Sequence, residues 1–213
     1  MRYDLGHIEW FAAIISRMWD DRYATDEYRF GTNPNRFLVE CAQFFPASAQ
    51  VLSLGEGEGR NAVYLAGLGC KVTAVDSSAV GLAKARRLAG ERGLALTTVT
   101  ADLNDYSIQP ASWDVIINFF CHMPSGERAA LHKRVIEGLK PGGVYVLEVF
   151  NPDQPQFGSG GPTERDLLMS VDDARRELAP LRLDVVRELA RHRDDDDPST
   201  PIISVLQVLG VKE

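Results

Sequence analysis

The stretch that most limits how this chain can fold runs from Val51 to Asn61, Val-Leu-Ser-Leu-Gly-Glu-Gly-Glu-Gly-Arg-Asn. It opens as a short apolar run, which reads as a buried strand. Glycines at 55, 57 and 59 then permit a tight turn and a close approach of backbone to a ligand. Apolar residues at helical spacing follow from Ala62 to Leu68, and a second strand, Lys71 to Val75, ends in Asp76. An acid that far beyond a glycine turn is placed to meet the hydroxyls of a nucleoside ribose at the carboxyl edge of a parallel sheet.

Gly57, Gly59 and Ala62 also satisfy the loose dinucleotide pattern G-x-G-x-x-G/A. Charge separates the two possibilities. A pyrophosphate would sit beside Glu56 and Glu58, which like-charge repulsion opposes. S-adenosylmethionine (SAM) carries an adenosine, a positive sulfonium and no phosphate, and suits an acidic turn better than NAD does. Two other readings stay open: a SAM-binding protein without catalysis, and, with less support, a nucleotide-cofactor oxidoreductase.

The remaining chain reads as one α/β domain over residues 1–213, with 1–34 as an N-terminal helix and lid. Ile8, Phe11, Ala12, Ile15, Met18 and Trp19 share a helical face. Trp19, Tyr23, Tyr28 and Phe30, with Arg22, then crowd a segment without a period, up to about Asn35. Aromatic faces there offer apolar cover and attract cations. A helix is expected from Asn35 to Phe45. Ser77 or Ser78 caps another running to about Arg92, and Gly93 stops it. Leu94 to Thr100 and Trp113 to Phe119 are expected strands. Ser125 caps a helix with Leu131, Val135, Ile136 and Leu139 inward. Leu139-Lys-Pro-Gly-Gly143 turns into a fifth strand, Val144 to Phe150. This alternation is that of a parallel sheet covered on both faces. Past a loop rich in proline and glycine (Asn151 to Pro162), a helix spans Val171 to Leu178. Leu181 to Leu189 and Ile202 to Leu209 follow with no helix between them, as antiparallel neighbours. Their link holds four aspartates, Asp194 to Asp197, read as a solvated loop tip.

Composition narrows the partners. A net charge of −7 offers no general attraction for nucleic acid or an anionic membrane. Three scattered cysteines make neither a disulfide framework nor a zinc cluster, so no metal is expected. The N-terminus lacks a signal-peptide pattern, and no apolar run approaches the ~18 residues of a membrane span. A cytoplasmic protein, monomer or homodimer, is expected.

With these motifs in order, the chain resembles the class I SAM-dependent methyltransferases. The resemblance rests on Leu54-Gly-Glu-Gly-Glu-Gly59, Asp76, Asp102-Leu103 and Leu139-Lys-Pro-Gly-Gly143, and covers about residues 35 to 210. Within that class it is similar to the tellurite-resistance-type branch, with thiopurine methyltransferases further off. Trp19-Asp-Asp-Arg-Tyr23, Gly59-Arg-Asn61, Phe120-Cys-His-Met-Pro124 and Gly160-Gly-Pro162 carry that likeness. The resemblance implies a Rossmann-like, doubly wound sheet of seven strands, order 3-2-1-4-5-7-6, strand seven antiparallel. It implies SAM as cofactor, S-adenosylhomocysteine as product, and a small-molecule or inorganic oxyanion acceptor. Gly55 and Gly57 would pass close under the methionine part, Gly59 would belong to the same cofactor-binding turn, and Glu56 and Asn61 would help hold the methionine's polar ends. Asp76 and Ser77 would sit at the ribose, Asp102 and Leu103 at the adenine, Phe119 at the sulfonium side. Ser53 departs from the acid that many members carry there, and Glu56 would take over part of its role. His122 is the candidate base or acceptor contact. Trp19, Arg22, Tyr23 and Arg165 are candidates for the lid and substrate side.

Overall fold

The computed structural model describes residues 16–194 and 197–213. Most of the helical face expected over residues 8–19, and two of the four loop aspartates, lie outside the described residues. The described part of α1 covers residues 16–23. The other helices are α2 (Arg36–Ala42), α3 (Arg60–Gly67), α4 (Ala79–Glu91), α5 (Ser125–Gly138) and α6 (Val171–Glu177). The strands are β1 (Gln50–Leu54), β2 (Lys71–Asp76), β3 (Thr97–Thr100), β4 (Trp113–Phe119), β5 (Leu139–Phe150), β6 (Leu181–His192) and β7 (Ile202–Lys212). They form one seven-stranded sheet in the order β3-β2-β1-β4-β5-β7-β6. The pairs from β3 to β5 are parallel, and β7 runs antiparallel to β5 and β6.

Side chains alternate across each strand, so one apolar run feeds two cores. Leu52, Leu54, Ile116 and Leu147 pack beneath Leu131 and Val135 of α5. Val51, Val115, Ile117 and Val146 pack against Phe37 of α2, Leu65 of α3 and Leu82 of α4. The central strands are therefore apolar on both faces, while β6, at the sheet's edge, is only half-buried. Glu148 interrupts the apolar run of β5 and is 0% exposed. It accepts from Asn35 Nδ2 at 2.8 Å and Gln207 Nε2 at 2.6 Å, and pairs with Arg191. A buried charge survives only with such partners. Here they bind α2, β5, β6 and β7 together. Among the described residues no helix is long and apolar enough to cross a membrane.

Several boundaries differ from expectation. The helix after Asn35 stops at Ala42, because residues 43–45 turn without continuing the ladder before Pro46. The helix after the glycine turn starts at Arg60, two residues early, and β3 begins at Thr97, three late. Ser125 does not cap α5. Pro124 holds the cap position, and the Ser125 hydroxyl donates to Asp166 instead. Leu139-Lys-Pro-Gly-Gly143 is already part of β5, with a register break opposite Trp113 and Gly142 at φ 78°.

On the α5/α6 side lies a buried ionic cluster. Arg128 donates to both oxygens of Glu177, and His132 Nδ1 is 2.9 Å from the same carboxylate. Burial alone would raise the Glu177 pKa, but His132 and Arg128 outweigh it and hold it low. Its stabilising contribution is therefore present above the ordinary carboxylate range and lost as pH falls through the depressed pKa. Arg128→Met should cost about 3 kcal/mol at neutral pH, by leaving a buried carboxylate short of a partner. Thermal melts of the two proteins should converge in strong acid; a gap that persists there would show that the loss is one of packing.

Candidate cofactor and acceptor site

The site begins with the turn between β1 and α3. Gly55, Gly57 and Gly59 have φ of 65°, 64° and 96°, a region that favours glycine. The amides of Gly55 and Glu56 both donate to Val75 O, at 2.9 and 3.2 Å, which folds the turn back over the end of β2. Gly59 is the N-cap of α3 and has no side chain to offer the helix amides. Glu56 supplies what it lacks: one oxygen accepts from Asn61 N and Ala62 N, each at 3.0 Å. Its other oxygen takes the Ser53 hydroxyl. Burial pushes the Glu56 pKa up, and those hydrogen bonds pull it back. Ser53 and Glu56 thus act as a pair. The Asn61 side chain is turned to the Asn35 amide, 2.9 Å away.

Glu58 points elsewhere. It is 5% exposed, forms an ion pair with Lys84 and accepts from Arg29 N at 2.9 Å. The sequence reading opposed a pyrophosphate by repulsion from Glu56 and Glu58. The geometry corrects the reason. Glu58 is neutralised by Lys84. Glu56 opposes a phosphate by filling the helix N-terminus, the seat where one would bind.

Asp76 ends β2 beside the turn. Its Oδ2 accepts from Gly57 N and its Oδ1 from Ser78 N, both at 2.8 Å. It therefore caps the turn and α4's approach, as an acid at this position can. With four lone-pair sites on its two oxygens, the carboxylate keeps acceptor capacity beyond these backbone bonds. Ser78 caps α4, donating its hydroxyl to Asp20 of α1, and Asp20 also takes Val80 N. Ser77 offers its carbonyl to the Ser16 hydroxyl.

The end of β4 closes over this turn. Phe119 is buried. Phe120 adopts φ 57°, unusual for a bulky residue, and its amide donates to Glu148 O at 2.8 Å. The kink drops Cys121 over Gly55, so that a Cβ there would lie 2.8 Å from Cys121 Sγ. Burial, then the carboxylates of Asp76 and Asp102, push the Cys121 thiol up to about 12, so it is not a thiolate. Asp102 Oδ1 accepts from Asn104 N at 2.8 Å, and the Leu103 carbonyl accepts from Arg134. Gly55, Asp76, Asp102 and Cys121 are thereby gathered at one sheet edge.

His122 stacks on Phe150, with ring centroids 5.1 Å apart and planes 10° off parallel, and meets Phe120 edge-on. Its Nδ1 is buried without a hydrogen-bond partner. Burial lowers its pKa to about 4.

From the other side comes the N-terminal segment. Tyr23 is 6% exposed, and its hydroxyl lies 2.6 Å from where a Cβ on Gly57 would be. Trp19 stacks on Tyr23 at 5.4 Å, and the Arg22 guanidinium lies 4.9 Å from the Trp19 ring centre. Arg165 is placed apart from these residues, bound to Leu168 O and Asp173 near the start of α6. Sequence reasoning missed Lys84 and Phe150. A lysine on the apolar stripe of α4, between Leu82, Ala85 and Leu88, was the signal for the first.

Residues 51–143 match the family model described as a methyltransferase domain. The chain is 29% identical over 155 residues to the ubiquinone biosynthesis O-methyltransferase of Xanthomonas axonopodis pv. citri, 71% of this chain and 64% of that protein. It is 38% identical over 96 residues to the carboxy-S-adenosyl-L-methionine synthase of Geobacter metallireducens, 43% of this chain and 37% of that one. The chain thus spans less than two thirds of the length of these relatives. The structure of TehB from Haemophilus influenzae superposes with a TM-score of 0.70 at 19% identity, over 93% of this chain and 67% of that one. At that identity the likeness is one of fold. The strand order, the glycine turn and this domain match together support a class I SAM-dependent methyltransferase.

A Cβ on Gly59 would lie 2.6 Å from Ala85 Cβ and 2.7 Å from its Cα, where backbone cannot yield. Gly59→Ala should therefore cost about 1–3 kcal/mol through left-handed strain and this clash. A thermal midpoint unchanged from wild type would show that α3 and α4 are less closely packed than this.

Proposed function

We propose that the protein transfers the methyl group of SAM to a small-molecule or inorganic oxyanion acceptor. The observation that carries this reading is the joining of Asp76 to the glycine turn through Gly57 N. It fixes a ribose-type acid beside a backbone that a ligand can approach closely. Gly55 and Gly57 would lie under the methionine part. Asp76 would accept from the ribose hydroxyls, with Ser77 beside it, and Asp102 and Leu103 would face the adenine. Phe119 would line the sulfonium side. Glu56 and Asn61 would serve the methionine end by holding the turn's shape, since both Glu56 oxygens are engaged with Ser53 and the α3 amides and the Asn61 Oδ1 accepts from Asn35 N.

SAM supplies an activated methyl on a good leaving group. The chain's own work is then to align the acceptor and exclude water. His122, Phe120 and Phe150 offer an aromatic wall at the end of β4 and β5, where an acceptor would lie. A histidine whose pKa is near 4 stays neutral at physiological pH. His122 would therefore orient an acceptor through a hydrogen bond and take its proton only as the methyl arrives. Trp19, Arg22 and Tyr23 would cover the cofactor, and Arg165 would be a contact for an anionic acceptor from its place near α6. The name of the Xanthomonas relative points to a hydroxyl acceptor; the TehB-like fold keeps tellurite and selenite in the comparison. A cytoplasmic monomer or homodimer that binds neither nucleic acid nor membrane completes the proposal, supported by the net charge of −7.

Calorimetry should register SAM and S-adenosylhomocysteine and leave NAD silent. Asp76→Ala should weaken SAM by roughly 1.5–3 kcal/mol, the worth of charge-assisted hydrogen bonds. NAD binding without SAM binding would reverse the assignment. Labelled SAM, offered with phenols, thiols, small amines, selenite and tellurite, should reveal the acceptor class; a protein that binds SAM and labels none of them would be a sensor. In the pH profile of turnover, His122 should add no inflection between about 5.5 and 7.5, because its proton leaves well below that window. An inflection near 6.5 that vanishes in His122→Gln would contradict the neutral, orienting role.

A further inference from the structure

Lys84 stands where α4 is otherwise apolar, and it is 6% exposed. A buried ammonium is costly unless every donor finds a partner. Here it pairs with Glu58 and donates to Glu27 O at 2.6 Å and Thr25 O at 2.9 Å, with Tyr23 O at 3.5 Å. The Tyr28 ring centre lies 5.0 Å away. The second Glu58 oxygen accepts from Arg29 N. A segment without regular structure is thus fastened, through its own backbone, to one buried charge pair.

At the head of that segment stands Tyr23. Its hydroxyl touches Gly57, and a Cβ on Gly81 would lie 2.9 Å from its ring. Asp20 holds the preceding turn of α1 to the start of α4. Tyr23 is therefore set by two anchors, Asp20 before it and the Lys84–Glu58 pair after it.

We propose that Lys84, with Glu58, is a positioning residue for the cofactor: the pair fixes Tyr23 as the wall of the cleft over Gly57. The inference rests on the reading that SAM lies over Gly55 and Gly57. Lys84 does not touch the cofactor. It acts through residues 23–29, and loss of the pair releases that wall.

The test is a coupling cycle on the full chain, read by calorimetry with S-adenosylhomocysteine. Lys84→Met combined with Glu58→Gln removes both charges, so neither is left buried alone. This variant should bind about tenfold more weakly, as expected if the ordered segment falls to about a tenth of the population. Hydrogen exchange over residues 23–29 should quicken. In a Tyr23→Ala background the same pair of substitutions should change affinity little, because the wall is already gone. If the charge-free variant does not fold, Lys84→Gln combined with Glu58→Gln, an uncharged amide pair that keeps hydrogen-bonding groups at both positions, carries the same cycle. Wild-type affinity in a folded variant, or an equal loss with and without Tyr23, would overturn the inference. If the wild type itself binds no S-adenosylhomocysteine, the cofactor reading has failed. Exchange over residues 23–29 then still decides whether the pair holds the segment.

Discussion

The contact on which the site depends is the seat of the Glu56 carboxylate on the first free amides of α3. Those amides and the helix dipole make an anion site of any helix start. In this chain the anion is internal. Glu56 N–H is itself tied to Val75 O, so the same residue binds the turn to β2 and to α3. The turn is thereby hydrogen-bonded to both flanking elements, and the position a phosphate would take is filled. A ligand that is rich in nucleoside character and carries a positive centre fits this arrangement; a pyrophosphate does not.

Around that seat the chain arranges a second layer of charge, each group paired before it faces the cleft. Glu58 is closed by Lys84 and by the Arg29 amide, Glu148 by Asn35, Gln207 and Arg191. These pairs connect elements distant in sequence: α4 to the segment after α1, and α2 to β5, β6 and β7. Phe120, in its left-handed conformation, is where the strand gives up regular geometry, leaving Cys121 over Gly55 and His122 stacked on Phe150. Strain at such a point is tolerated because Phe119, the Glu148 carbonyl and the Phe150 ring determine it from three sides.

Much of this was legible in the sequence. The strand order, the antiparallel finish and β4 from Trp113 to Phe119 followed from apolar runs, their links and the resemblance. Asp76 lies beside the glycine turn, as its position at the end of a strand implied. Boundaries were less legible where two rules competed. Ser125 looked like a cap, but Pro124 already fixes the extended backbone a cap needs, and the serine hydroxyl serves Asp166. Gly142 and Gly143 looked like a turn, yet the parallel ladder from Trp113 to Leu139 reaches past them. The partners of Glu56 and Glu58 could not be read at all. Whether a carboxylate in a glycine turn faces a ligand, a helix or a lysine on a later helix is decided by three-dimensional distance, not by spacing.

The central claim is that the acidic glycine turn and Asp76 together form the nucleoside side of a SAM site. A crystal structure of the protein with S-adenosylhomocysteine tests it most directly. The account predicts ribose hydroxyls within hydrogen-bond distance of Asp76, the methionine part over Gly55 and Gly57, and Glu56 still seated on the Asn61 and Ala62 amides. A ligand bound away from Asp76, or a Glu56 displaced from α3 to admit it, would contradict the account.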